Sequence, residues 1–371
     1  MYAVVAPKRD RRPSLESRVH SHLGSAALNR TGFLPVSSFV GEVRERAFWL
    51  REPGVGEIRR ADVGAPGPGE VFVRTIRSAV SRGTETLVFR GGVPVEEYAA
   101  MRAPFQEGTF PGPVKYGYLN VGVVEAGEPD LLGRTVFCLH PHQTAYIVPR
   151  AAVVPVPEGI PPDRAVLAGT VETAVNAMWD AAPLVGDRVA VVGGGMVGLC
   201  VARLLVGVPG VEVTVVDVDE RRREVVAALG AAFALPADAP SGLDLVVHAS
   251  ASSAGLQLSL DLLADEGSVI DLSWYGSSEV ALHLGGRFHS GRLSIRSSQV
   301  GMVSPARRSR RSMTDRLRLA LELLRDPAFD VLVSGSSPFD DLPDVMRQLA
   351  DGGLPALCRT ITYEEGEPCS A

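Results

Sequence analysis

Lysine is all but missing from this chain. Of its 37 basic residues only Lys8 and Lys115 are lysines, and every other one is arginine. That background fits GC-rich coding and leaves most single arginines without a functional message. Cysteine is scarce as well. Cys138, Cys200, Cys358 and Cys369 lie far apart with no C-x-x-C pair, which excludes a close-spaced zinc cluster and a disulfide framework and points to a reducing compartment. No apolar run reaches the ~18 residues of a membrane span. The opening MYAVVAPKRDRRPSLESRVHSHLG sets charges where a signal peptide carries its apolar core. The net charge of −6 offers no attraction for nucleic acid. These absences describe a cytoplasmic protein with no membrane and no nucleic-acid partner.

What is present suits two globular domains: 371 residues, 46% apolar and 22% charged. Residues 1–42 are rich in Arg, Ser and His without periodicity and read as a flexible extension. From 43 to 160, short β-like runs (RAFWL, EVFVRTI, VGVVEAG, RTVFCL, AYIVP) alternate with Gly and Pro punctuation, as in a compact β-barrel. DRAVLAGTVETAVNAMWD, residues 163–180, has helical spacing. Through residue 324, apolar strands alternate with helices, the pattern of an α/β parallel sheet buried on both faces. A last helix is expected near Met313–Leu324, followed by a mixed tail with the strand-like CRTITY.

The clearest chemistry lies in RVAVVGGGMVGLCVARLL. Gly193, Gly195 and Gly198 form G-x-G-x-x-G between a strand and a helix, with Met196 and Val197 as the intervening pair. The first glycine permits the tight turn, the second the approach of a pyrophosphate, and the third close packing of helix on strand. The next strand ends in Asp217, 19 residues after Gly198, where a carboxylate can bind the adenosine ribose. That carboxylate repels a 2′-phosphate and favours NAD over NADP. Arg221, Arg222 and Arg223 either offset the repulsion or form the solvated face of a helix.

This motif, with the β-rich part before it, GAPGPGEVFVRTIRSAVSRGTE and SPFDDLPDVMRQLADG, resembles the medium-chain dehydrogenase/reductase superfamily over residues 44–363. The resemblance implies a GroES-like β-barrel catalytic domain over 43–160, completed by about 325–371, and a doubly wound Rossmann domain over 161–324. Zinc alcohol dehydrogenases of the superfamily carry G-I-C-G-T-D, whose cysteine binds the catalytic metal. The matching VSRGTE, Val80–Glu85, sets Arg82 there. Their G-H-E-x-x-G supplies a histidine, whereas GYLNVG, Gly117–Gly122, sets Tyr118 and Leu119. The four-cysteine structural loop is absent too. Zinc needs three protein ligands, so no zinc is expected. The variant resembles the zinc-less branch that includes bacteriochlorophyllide a dehydrogenase, which oxidises a secondary alcohol with NAD.

Without a metal, hydrogen-bond donors must hold the substrate oxygen. Tyr118 supplies a phenol. Lys115 is read as an ammonium beside it that lowers its pKa, with a surface lysine as the plainer alternative. Thr84 reads as a hydroxyl relay or a turn cap, Glu85 as an orienting group and Arg82 as a contact for a polar substrate group. Thr173 resembles the position that contacts the nicotinamide carboxamide. His140 and His142 share a strand face, as a proton relay or as packing. Arg307, Arg308, Arg310, Arg311, Arg316 and Arg318 read as a substrate anion site or a solvated turn. The combined expectation is a zinc-independent, NAD-linked alcohol dehydrogenase or ketone reductase acting on a small-molecule secondary alcohol or carbonyl. The alternatives are an NADPH-linked quinone or enone reductase and a non-catalytic NAD-binding protein. A homodimer through the strand Arg292–Ser298 is expected from the resemblance.

Overall fold

The computed structural model describes residues 45–363. The extension read over 1–42 and Cys369 lie outside them. The barrel part is built on the strand Glu70–Val80, which pairs antiparallel with Asn120–Gly127 and Ala145–Pro149. Val71 and Val73, two apart, are both fully buried with Val124, Val136 and Val148, as the period of a strand requires. A smaller sheet orders Val55–Ala61, Glu45–Glu52, Val114–Lys115 and Glu107–Gly108.

The end of the chain returns to this part. Cys358–Thr362 pairs antiparallel with Glu70–Val80, and Val333–Pro338 adds a further strand. Between them SPFDDLPDVMRQLADG forms the helix Leu342–Asp351, where sequence reading gave only a mixed tail. Leu342, Val345, Met346 and Leu349 stand at helical spacing and pack on Phe48, Val88 and Phe89. Pro343 is tolerated because it falls in the first turn.

The other part is a six-stranded, all-parallel sheet. Its spatial order is Ala232–Ala234, Glu212–Val216, Arg188–Val192, Leu243–His248, Leu263–Asp271, Ser294–Ser297. Numbered along the chain this is 3-2-1-4-5-6, the Rossmann order, with its ligand crevice beyond the carboxyl ends of the central strands. The helix expected over 163–180 is broken into Pro162–Ala165 and Ala168–Ala181. The break carries Val166 and Leu167, both fully buried. No helix among the described residues is long and apolar enough to cross a membrane.

Candidate active site

The glycine motif builds one wall of a cavity of 550 Å³. Gly193 holds φ +112°, and a Cβ there would stand 2.7 Å from Ser250 N, so the turn accepts only glycine. A Cβ on Gly198 would stand 2.0 Å from Gly193 O, whereas one on Gly195 would meet nothing within 4 Å and would fill the cavity instead. Gly195, Met196 and Val197 line that cavity at the amino end of the helix Met196–Val206. Exposed backbone at a helix amino end suits a pyrophosphate, and the residues present fit a dinucleotide. Asp217 accepts the Gly194 N–H at 2.5 Å and the Asp219 N–H at 2.8 Å, which ties the glycine loop to the end of the second strand. Arg222 lines the cavity and faces Asp219 at 3.5 Å. Arg82 lines it too, from the barrel side, its guanidinium 3.4 Å from Ala356 O. Arg82 is absent from the lining of the second cavity.

A second cavity, 380 Å³, lies between the parts. Its apolar wall comes from Met101, Pro104, Tyr116, Leu139 and Trp274, and its polar wall from the linking helix through Thr170, Glu172 and Thr173. Thr173 therefore stands in this second cavity, with its hydroxyl donating to Gly169 O at 3.0 Å. The two cavities share Ser81, Thr84, Val197, Leu272, Ser273 and Trp274. At this junction the Ser81 and Thr84 hydroxyls stand near enough to the phenol of Tyr118 to act on its pKa. Ser81 precedes the helix Arg82–Phe89 but makes no side-chain capping bond. Its N–H donates to Glu85 Oε1 at 2.8 Å. Burial pushes the Tyr118 pKa up to about 12, helped by the Glu85 carboxylate and opposed by the Ser81 and Thr84 hydroxyls.

Lys115 is elsewhere. Its strand pairs Lys115 with Glu107, and the buried ammonium donates to that carboxylate and, at 2.7 Å, to Gln143 Oε1. The predicted Lys115–Tyr118 dyad is not formed. Lys115 acts on His140 instead, which burial and then the ammonium hold well below the ordinary histidine value. The two histidines part company: His140 stacks on Tyr146 with centroids 3.7 Å apart, while His142 Nε2 meets Glu85 Oε2 at 2.9 Å and its Nδ1 meets Ser78 Oγ at 2.7 Å. Of the arginine run, Arg316 is fully buried on Glu172 and Asn176 and on the carbonyls of Val300 and Met302. It holds in place the loop that lines the second cavity. Arg307, Arg308, Arg310, Arg311 and Arg318 are exposed, which is the solvated-turn reading.

At the positions matched to the zinc cysteine and histidine stand Arg82 and Tyr118, and Leu119 beside them is buried in the core. Among the described residues no three His, Cys, Asp or Glu side chains converge to hold a metal ion. Ser81 and Trp274 were missed from sequence. Ser81 stood in plain view within VSRGTE, but no local signal places Trp274 at a junction formed by distant segments.

No protein-family model and no curated protein matches the chain. Solved structures do. A short chain alcohol dehydrogenase from Escherichia coli CFT073, complexed with NADH, is 17% identical with a TM-score of 0.70 over 87% of this chain and 100% of its own. The likeness is one of fold. L-idonate 5-dehydrogenase from Escherichia coli K-12 is 15% identical, with a TM-score of 0.72 over 86% of this chain and 99% of its own. A protein assigned as a zinc-binding dehydrogenase from Sinorhizobium meliloti 1021, bound to NADP, is 17% identical, with a TM-score of 0.70 over 86% of this chain and 99% of its own. At these identities the likeness establishes a GroES-like barrel joined to a Rossmann sheet.

Proposed function

We propose that this chain is a nicotinamide-dependent oxidoreductase that interconverts a secondary alcohol and its ketone without a catalytic metal. The observation that carries the reading is the junction of the two cavities, where the dinucleotide wall and the Ser81–Thr84–Tyr118 hydroxyls meet. A bound nicotinamide supplies or accepts the hydride. The protein must then manage the substrate oxygen, on which negative charge grows during reduction. Hydroxyls held at the junction donate to that oxygen without reorganising. Tyr118, protonated throughout the working range, gives its proton to the far more basic alkoxide; the Ser81 and Thr84 hydroxyls stabilise the phenolate until solvent returns its proton. In oxidation the same atoms run in reverse. The substrate is a compact and largely apolar alcohol or ketone, as the lining of the 380 Å³ cavity indicates.

NAD is the proposed cofactor, with Asp217 on the adenosine ribose. Arg222 in the cavity wall is the one observation that favours NADP. The protein is proposed to be cytoplasmic and homodimeric. The test is a panel of ketones and secondary alcohols offered to chelator-treated protein with NAD(H) or NADP(H), followed by nicotinamide absorbance. Turnover without stoichiometric zinc supports the reading. Zinc near one equivalent, lost together with activity on chelation, sinks the metal-free part. Tight cofactor binding with no turnover on any member makes this a non-catalytic dinucleotide-binding protein.

A further inference from the structure

The wall of the second cavity carries three charged side chains, Arg102, Glu172 and Asp271. Both carboxylates are answered from within the protein. Glu172 meets the buried Arg316 guanidinium at 3.1 Å. Asp271 meets His248 Nδ1, the Ser273 N–H and the Tyr275 hydroxyl, each at 2.9 Å. Arg102 differs. Its Nη1 donates to Gly108 O at 2.9 Å and its Nη2 to Gln106 O at 2.7 Å, and both acceptors are neutral. Glu107, in the same turn, receives the Lys115 ammonium instead. Among the described residues no carboxylate forms an ion pair with Arg102. Of the five N–H groups of a guanidinium, two on backbone carbonyls fix its place and leave its charge unmet.

The loop that carries Arg102 is held rigidly. Phe105 has φ +56° and stacks on the buried His140 with centroids 5.6 Å apart. A left-handed phenylalanine persists only where its surroundings over-determine it. The Gln106 N–H donates to Ala103 O at 3.3 Å, and the Ala103 N–H donates to Gln106 Oε1 at 3.1 Å. Gln106 Nε2 is the one buried side-chain polar atom without a partner among the described residues. An unmet buried donor is costly unless water or a ligand reaches it. Arg102 is bonded to this same glutamine, and Ala103 and Pro104 between them also line the cavity. One turn of the wall therefore holds both an uncompensated charge and an unmet donor.

We propose that Arg102 is the specificity residue of the second cavity and binds a carboxylate of the substrate, an inference that rests on the oxidoreductase reading above. The planar fork of a guanidinium suits a carboxylate through parallel N–H bonds. The rest of the wall separates that carboxylate from the reacting carbon. Thr84 and Tyr118 mark the junction, while Met101, Leu139, Tyr116 and Trp274 supply apolar surface. The substrate class is therefore an oxo acid and its hydroxy acid, with an apolar segment between the carbonyl and the carboxylate. Binding at the carboxylate end holds the carbonyl at the junction. A neutral ketone leaves the arginine without a counter-charge.

The test offers the full chain, with NADH or NADPH, straight-chain methyl ketones that end in a carboxylate, beside their methyl esters. The spacing between ketone and carboxylate is varied one methylene at a time. At the best spacing the acid should exceed its ester in kcat/KM by about tenfold to a hundredfold, the scale of a hydrogen bond to a charged group. Arg102→Gln should erase that ratio by raising KM for the acid, with the ester close to its wild-type values, and Arg102→Lys should restore part of it. Wild-type turnover that is equal for acid and ester, or better for the ester, overturns the proposal. So does an equal loss of both in Arg102→Gln, which would make Arg102 a loop anchor alone. If no member turns over with either cofactor, calorimetry with the same acids decides. Acid binding that Arg102→Gln abolishes would uphold the carboxylate contact and sink the oxidoreductase reading, whereas no acid binding would sink both.

Discussion

Tyr118 and Lys115 stand three residues apart and do different work. The phenol of Tyr118 points at the cavity junction with its pKa pushed up to about 12 by burial and Glu85, so reduction should show no basic limb from this group below about pH 10. The ammonium of Lys115 turns to Glu107 and Gln143. Lys115→Met should therefore cost stability, about 1–3 kcal/mol from the stranded Gln143 carbonyl and the lost charged hydrogen bonds, and leave the pH–rate profile in place. Urea unfolding beside a pH–rate series measures both. A shifted profile in Lys115→Met would restore the dyad that the sequence suggested. The sequence made Tyr118 legible because an unusual residue stood at a motif position. It could not fix the direction of Lys115, because the nearest partner in the chain is Glu107 across a two-residue strand pairing, which no periodicity signals. Asp217→Ala is expected to weaken NAD binding and narrow the gap to NADP, since a charge-assisted bond to ribose is worth about 1.5–3 kcal/mol; equal losses for both cofactors would move that choice to Arg222.

At the scale of elements, the Rossmann half was the more readable. Strands buried on both faces give continuous apolar runs such as RVAVV, and the glycine spacing locates the strand–helix turn. Gly198→Ala tests that packing: its methyl would stand 2.0 Å from Gly193 O, so the variant should lose dinucleotide binding and several degrees of melting temperature. A variant that binds NAD normally would mean the turn relaxes freely. The barrel half was harder to read because its sheets join segments far apart in the chain. The helix Leu342–Asp351 carried a clear 3-4 spacing that the neighbouring Pro and Gly residues masked. Arg316 shows the limit of charge patterning, since one member of an exposed run is a fully buried ion-pair partner of Glu172. Its substitution by Met should raise KM, because the Ser298–Gly301 wall of the second cavity would lose its anchor.

For the whole molecule, the buried titratable groups set the pH range of stability. His140 binds a proton less readily folded than unfolded. As pH falls below about 6.5 the unfolded chain takes up a proton that the native state refuses, and stability drops. His140→Phe keeps the ring stack on Tyr146 and should lessen that drop in urea midpoints. At the alkaline end, Tyr116, Tyr118, Tyr146 and Tyr363 have raised values. Their contribution is complete below about pH 10 and is lost as pH climbs through the folded values. The strand Ser294–Ser297 is a sheet edge, and light scattering at micromolar concentration should find two copies paired there; a monomer would contradict the proposal. The central claim is that a phenol at the cavity junction takes the place of a metal. The most direct test is Tyr118→Phe, which removes one hydroxyl and keeps the ring. With the best substrate of the panel, kcat should fall about 10²–10⁴-fold while NAD affinity and melting temperature hold. Near-wild-type turnover in Tyr118→Phe would contradict the account.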